Sequence, residues 1–121
     1  MNGRSWTVVI PGWHPTRLNA LMNCHWKRRG RLKRADADMI AFYARRAGIP
    51  EATGKRRVRM TITLAKGQRA FDPDAPWKVV LDSLVACQML TDDNRQGVEL
   101  GGVEFDRGQA RSTAIIIEEI T

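Results

Sequence analysis

The chain has 121 residues, 43% of them hydrophobic, with 20 Lys and Arg against 13 Asp and Glu for a formal net charge of +7. That length suits one domain with a real core and is too short for two, so residues 1–121 are read as a single unit. A basic, core-forming chain of this kind is not a disordered cationic tail; it predicts a folded protein with a polyanionic partner, nucleic acid foremost.

Cys24 and Cys87 stand far apart without CxxC or Cys/His spacing, which predicts unbridged thiols in a reducing compartment and gives no zinc signature. There is no basic flank followed by an apolar run of signal-peptide length and no stretch long enough to span a bilayer. The expectation is a cytoplasmic protein with no membrane partner.

Ser5 to Ile10 is rich in β-branched and aromatic residues and stops at Pro11-Gly12, which predicts a first strand. From Pro11 to about Lys33 no period is legible; Pro15, Asn19, Asn23 and Gly30 punctuate an expected long loop carrying Lys27, Arg28, Arg29, Arg31, Lys33 and Arg34. Such a run is either a solvated basic loop or an arm that grips phosphates. Trp13, His14, His25 and Trp26 are interleaved with it, and an aromatic beside cations either stacks on an exposed base or packs on the core.

Asp36 to Ala47 reads as a helix, with Met39, Ile40, Tyr43 and Ala47 on one side and Gly48 and Pro50 as the stop. Arg45 and Arg46 at its end suit the helix dipole and have a structural explanation. Lys55, Arg56 and Arg57 lead into Val58–Leu64, where Val58, Met60, Ile62 and Leu64 alternate with Arg59, Thr61 and Thr63. That alternation is a strand with one buried and one polar face, and it groups Arg59 with the preceding cations.

Lys66 and Arg69 then lead to Phe71-Asp72-Pro73-Asp74-Ala75-Pro76-Trp77-Lys78, at the mouth of a helix expected from Pro76 to about Leu90. Trp77, Val80, Leu81, Leu84, Val85 and Gln88 form its inward stripe. Residues that precede a proline are driven toward extended conformations, and an extended stretch turns residues i and i+2 to the same side. Asp72 and Asp74 are therefore expected to point together, a repulsion that a divalent cation with hard oxygen ligands relieves. Lys78 either makes an ordinary i,i+4 pair with Asp82 or leans back from the first turn toward Asp72 and Asp74.

Thr91-Asp92-Asp93-Asn94 is a polar turn whose aspartates are natural turn formers; secondary structure alone does not bring it near Asp74. Val98–Phe105 is a strand with a bulge expected at Gly101-Gly102. Asp106 to Gln109 reads as a hairpin turn, and Ser112–Ile120 as the partner strand. The fold class expected is α+β: one domain with a mixed β-sheet, order β-α-β-α-β-β, and helices packed on the sheet.

This order resembles the RusA family of Holliday junction resolvases over nearly the whole chain, with Asp-x-Asp at a strand-to-helix junction, a lysine four residues after the second aspartate, Asp-Asp after the helix and a terminal hairpin. The resemblance implies a homodimer that binds four-way DNA junctions and cuts paired strands with Mg2+. It implies Asp72 and Asp74 as paired metal ligands, Lys78 as the catalytic lysine and Asp93 as the third carboxylate ligand, with Asp92 beside it; Asp82 matches a frequent acidic position in the family's helix. Lys27 to Arg34, Lys55 to Arg59, Lys66 and Arg69 become the expected contacts to DNA phosphates. Family members often travel with phages, so a nucleoid-associated or phage-encoded setting is part of the expectation.

Where the family has asparagine after the second aspartate, this chain has Ala75. The loss of an N-cap costs about 1 kcal/mol, which Pro76 partly offsets by fixing the first turn. The basic segment also differs from the family's forms. Two other readings stand beside the nuclease. One is a junction-binding module of the same fold with weak or no catalysis. The other is a small phosphotransferase using Asp-x-Asp, but enzymes of the haloacid-dehalogenase type want a hydroxyl residue soon after the second aspartate and an N-terminal motif, and Ala75 and Pro76 supply neither.

Overall fold

The alternation from Val58 to Leu64 makes the strand around which the sheet is ordered. In a computed structural model that describes residues 3–17, 20 and 22–120, the elements are β1 (Ser5–Pro11), α1 (Trp26–Arg46), β2 (Arg56–Leu64), α2 (Trp77–Ala86), β3 (Val98–Arg107) and β4 (Ser112–Glu119). The four strands form one mixed sheet in the order β1-β4-β2-β3. β4 runs antiparallel to both β1 and β2, and β3 runs parallel to β2. The expected α+β class and element order hold. Asn19 lies outside the described residues. Among the described residues, no helix is long and apolar enough to cross a membrane.

Both helices lie on one face of the sheet. Ile40 and Ala44 of α1 and Val80 and Leu84 of α2 share a buried cluster with Val8, Ile10, Val58, Met60, Ile115 and Ile117. Each large aliphatic chain buried there contributes roughly 1.5–3 kcal/mol.

Three expectations need correction. The long basic loop does not extend to Lys33, because α1 begins at Trp26 and runs for 21 residues. Lys and Arg are good helix formers, so the helix continues through a stretch that carries no apolar stripe to announce it. Second, β3 and β4 are not a hairpin: the chain arches over the end of β2, with Gly108 N–H donating to Leu64 O at 3.0 Å. Ile115 and Ile117 are buried and Ala114 and Ile116 half-buried, so β4 is apolar on both faces and takes a central position. Glu99, Glu104 and Asp106 make β3 a suitable edge strand. Third, α2 ends at Ala86 rather than near Leu90. Gln88, expected on the inward stripe, is exposed with φ +68°, which breaks the helix.

The expected bulge is present. Val58 pairs with Leu100 but Arg59 with Gly102, leaving Gly101 as the extra residue, and Gly102 has φ +106°, where a side chain is strained.

Candidate functional site

Two sets of contacts orient the molecule. Phe71, just before Asp72, packs edge-on against Phe105 near the carboxyl end of β3. At the opposite end, Met89 O accepts from buried Arg56, and Ala52 N–H donates to Gln88 O. α2 therefore runs from the carboxyl end of β2 to its amino end. α1 runs the same way, because Asp36 is held beside Trp13 and Thr16 while the segment after Arg46 arrives at Gln88. Lys33, Arg34 and Ala37 line a groove with Val79, Asp82 and Ser83, so the more N-terminal cations of α1 project beyond it toward the end where Asp72 and Asp74 lie. Ligands of open sheets with parallel strands commonly bind at this carboxyl end.

The Asp-x-Asp segment is a turn rather than an extended stretch. Ala75 N–H donates to Asp72 O at 2.9 Å, and Asp74 N–H donates to Asp72 Oδ1 at 2.9 Å. The side-chain bond is the familiar Asx turn, with Pro73 and Asp74 at the centre of the backbone turn that Asp72 opens. The parallel-pointing argument therefore does not hold. The two aspartates are instead tied through Asp72 Oδ1, leaving Asp72 Oδ2 and both oxygens of exposed Asp74 without a protein partner among the described residues. Pro76 precedes α2, and no side chain caps the helix, as Ala75 implied.

The second acidic pair is built alike. Asp92 Oδ1 accepts from Asp93 N–H at 2.7 Å and Asp92 Oδ2 from Asn94 Nδ2 at 3.1 Å, so Asp92 shapes the turn while the exposed Asp93 carboxylate has no partner among the described residues. The turn lies against Gly97, where any Cβ would overlap the Asp92 backbone. Gly97 adjoins the amino end of β3 and Phe71 packs near its carboxyl end; the intervening strand spans roughly 25 Å at about 3.3 Å per residue. Within one chain Asp93 is thus far from Asp72 and Asp74. Among the described residues, no three His, Cys, Asp or Glu converge as a metal-holding group.

Lys78 does not lean back toward Asp72 and Asp74. Its Nζ lies 3.3 Å from Asp82 Oδ2 on an exposed stretch of α2, the ordinary i,i+4 pair.

The expected DNA contacts divide by position. Lys27, Arg28, Arg29, Arg31, Lys33 and Arg34 occupy the first half of α1, which has no acidic residue in its first turn. Cations there oppose the helix dipole, an arrangement that folding stability does not select. Lys27, Arg31 and Arg34 repeat at helical spacing along one stripe. Trp26 is 68% exposed, with Lys27 over its ring, so it is not a core residue. Lys66 and Arg69 are exposed beyond the carboxyl end of β2.

The remaining cluster does not form one binding face. Lys55 is exposed at the other end of β2. Arg56 is 2% exposed, donates to Met89 O at 3.0 Å and sits over the Trp6 ring; burial draws its pKa below the ordinary arginine value, with Glu119 opposing. It is a core residue, not a DNA contact. Arg57 pairs with Glu99 and Glu118, and Arg59 Nε donates to Glu118 Oε1 at 2.7 Å. These pairs neutralise the open sheet face locally.

Arg17 and Arg111, which sequence reasoning did not single out, join Arg69 at the carboxylate end of the sheet. Arg17 follows an irregular segment and Arg111 precedes β4; only the fold makes them neighbours. Neither cysteine is in a disulfide, and burial raises the Cys87 thiol pKa above its ordinary value.

No model of a known protein family matches this chain, and no curated protein matches it.

Proposed function

We propose that this protein is a Mg2+-dependent, structure-selective endodeoxyribonuclease that resolves four-way DNA junctions as a homodimer. The observation that carries the reading is the Asp74 carboxylate, exposed and without a partner among the described residues, on the Asp72 turn at the end of the sheet toward which the cationic half of α1 projects. A carboxylate on a surface suited to DNA phosphates is repelled by them unless a cation bridges the two.

The donor set suits Mg2+, which takes hard oxygens and often needs only one or two protein carboxylates beside phosphate oxygens and water. Asp74 offers two oxygens and Asp72 offers Oδ2. When bound, the ion polarises the scissile phosphate and promotes ionisation of an attacking water. The Asx turn holds the Asp74 backbone in register with α2, and the cations of α1 orient the DNA backbone and bind by charge rather than sequence. Lys78 exchanges Asp82 for a phosphate oxygen and stabilises its developing charge. Asp93 enters this site only from a second copy, so the reading requires a dimer.

The test is cleavage of a synthetic four-way junction in Mg2+ and in EDTA. Asp74→Asn is expected to abolish cleavage while keeping or improving junction binding. Cleavage by Asp74→Asn at the parent rate overturns the assignment.

A second reading, a junction-binding module without cleavage, is favoured by the Lys78–Asp82 pair and by the distance of Asp93 from Asp74 within one chain. It predicts binding without Mg2+-dependent product.

A further inference from the structure

Beside the Asp72 turn lies an open pocket of about 490 Å³ whose described lining includes His14, Arg17, Gln68, Arg69, Phe71 and Arg111 and no carboxylate. Its three guanidiniums come from three separate parts of the chain: the segment after β1, the loop after β2 and the residue before β4. None of them forms an ion pair among the described residues. This contrasts with Arg57 and Arg59 on the sheet face, each of which has a glutamate.

The walls are held in place. His14 Nε2–H donates to Thr63 O at 2.8 Å, which leaves Nδ1 as its other ring nitrogen. Arg111 Nε donates to Gly12 O at 3.0 Å, leaving its terminal nitrogens available. Arg17 lies over the Phe71 ring, 5.1 Å from its centre, and Phe71 is braced by Phe105. Three guanidiniums lining one pocket, with no carboxylate in its described lining, repel one another, and a phosphate, with acceptor oxygens suited to their planar forks, relieves that repulsion.

We infer that this pocket is a subsite for a backbone phosphate of a DNA strand, gripped by Arg17, Arg69 and Arg111 immediately beside the Asp72–Asp74 turn. The inference rests on DNA being the partner, as proposed above, but not on cleavage. The subsite anchors the strand at a fixed offset from Asp74, so it sets register as well as affinity.

The experiment measures binding of a fluorescein-labelled four-way junction to the full chain by anisotropy in EDTA across a series of salt concentrations. The Arg17→Gln/Arg111→Gln double variant is expected to bind at least roughly tenfold more weakly, as loss of charge-assisted hydrogen bonds implies. The slope of log affinity against log salt should shrink by about one for each phosphate released. Arg17→Gln alone, which removes no side-chain hydrogen bond among the described residues and only the stacking on Phe71, should weaken binding in the same direction while the chain stays folded by circular dichroism. Arg57→Gln, the control on the sheet face, should leave the slope unchanged. A parent-like slope and affinity in both Arg17→Gln and the double variant overturns the subsite, even if junction cleavage is intact. A chain that binds no DNA at any salt overturns both the subsite and the nuclease reading, whereas weakened variant binding without any cleavage by the parent upholds the subsite and removes the nuclease.

Discussion

The Trp13 indole N–H donates to Asp36 Oδ1 at 3.1 Å, while Thr16 N–H donates to Oδ2 of the same carboxylate, also at 3.1 Å. Asp36 is 5% exposed on the inner side of α1, and these two hydrogen bonds fasten the irregular segment carrying His14 and Arg17 to the helix. Asp36→Ala leaves two donors without their acceptor, at an expected cost of about 1–3 kcal/mol for a buried group so orphaned. Thermal unfolding followed by circular dichroism should show a clear fall in Tm, with Asp36→Asn milder because it keeps one acceptor oxygen. An unchanged Tm for Asp36→Ala would show that the fastening is not structural.

Arg56 and Arg59 lie on opposite faces of β2 and have opposite fates. Arg56→Ala removes the guanidinium under Trp6 and orphans Met89 O, an expected loss of roughly 1–3 kcal/mol. Arg59→Ala breaks an exposed pair with Glu118 and should cost no more than about 1 kcal/mol. Urea unfolding of the two variants measures the difference. Equal midpoints would mean that burial of Arg56 carries no structural weight.

Arg4 Nε donates to Glu119 Oε1 at 2.7 Å, joining the residue before β1 to the end of β4. The hydrogen bond from Arg4, aided by its charge, holds the Glu119 carboxyl below the ordinary glutamate range. Because the folded-state pKa is depressed, the contribution is complete above the unfolded value, about 4.3, and is lost as pH falls through the folded-state pKa. An NMR titration of the Glu119 side-chain carbonyl should place its midpoint below that ordinary value, and Arg4→Gln should move it upward. A parent midpoint at or above the ordinary value contradicts the pairing.

Under the dimeric nuclease reading, Asp74→Asn and Asp93→Asn are each inactive alone but complement when their subunits are exchanged. Random mixing makes half the dimers mixed, and one of the two sites in each is intact, so activity should return to about a quarter of the parent in a closed two-fold dimer. Junction cleavage before and after exchange reads this directly. No recovery in confirmed mixed dimers means that Asp93 does not complete its partner's site.

Much of the fold was legible because it depends on local pattern. The alternation of Val58, Met60, Ile62 and Leu64 specified a strand with one buried face, Gly101-Gly102 marked the bulge, and Pro76 preceded the helix start. Pairing was not legible: the choice between a β3–β4 hairpin and insertion of β4 beside β2 is made by which strand can be apolar on both faces, a property of the assembled sheet. The first half of α1 was hidden because its helix formers are mostly cationic and carry no apolar inward stripe.

The amino-acid sequence by itself determined that the chain is basic, has a core, and carries two aspartate pairs flanking a helix; these are properties of composition and spacing. Only the tertiary structure decided that Arg56 is buried, that Lys78 faces Asp82, that Asp93 lies at the opposite end of the sheet from Asp74, and that Arg17, Arg69 and Arg111 share one pocket. The reason is that charge and residue type are local, whereas burial, ion pairing and convergence depend on which distant segments the sheet and helices bring together.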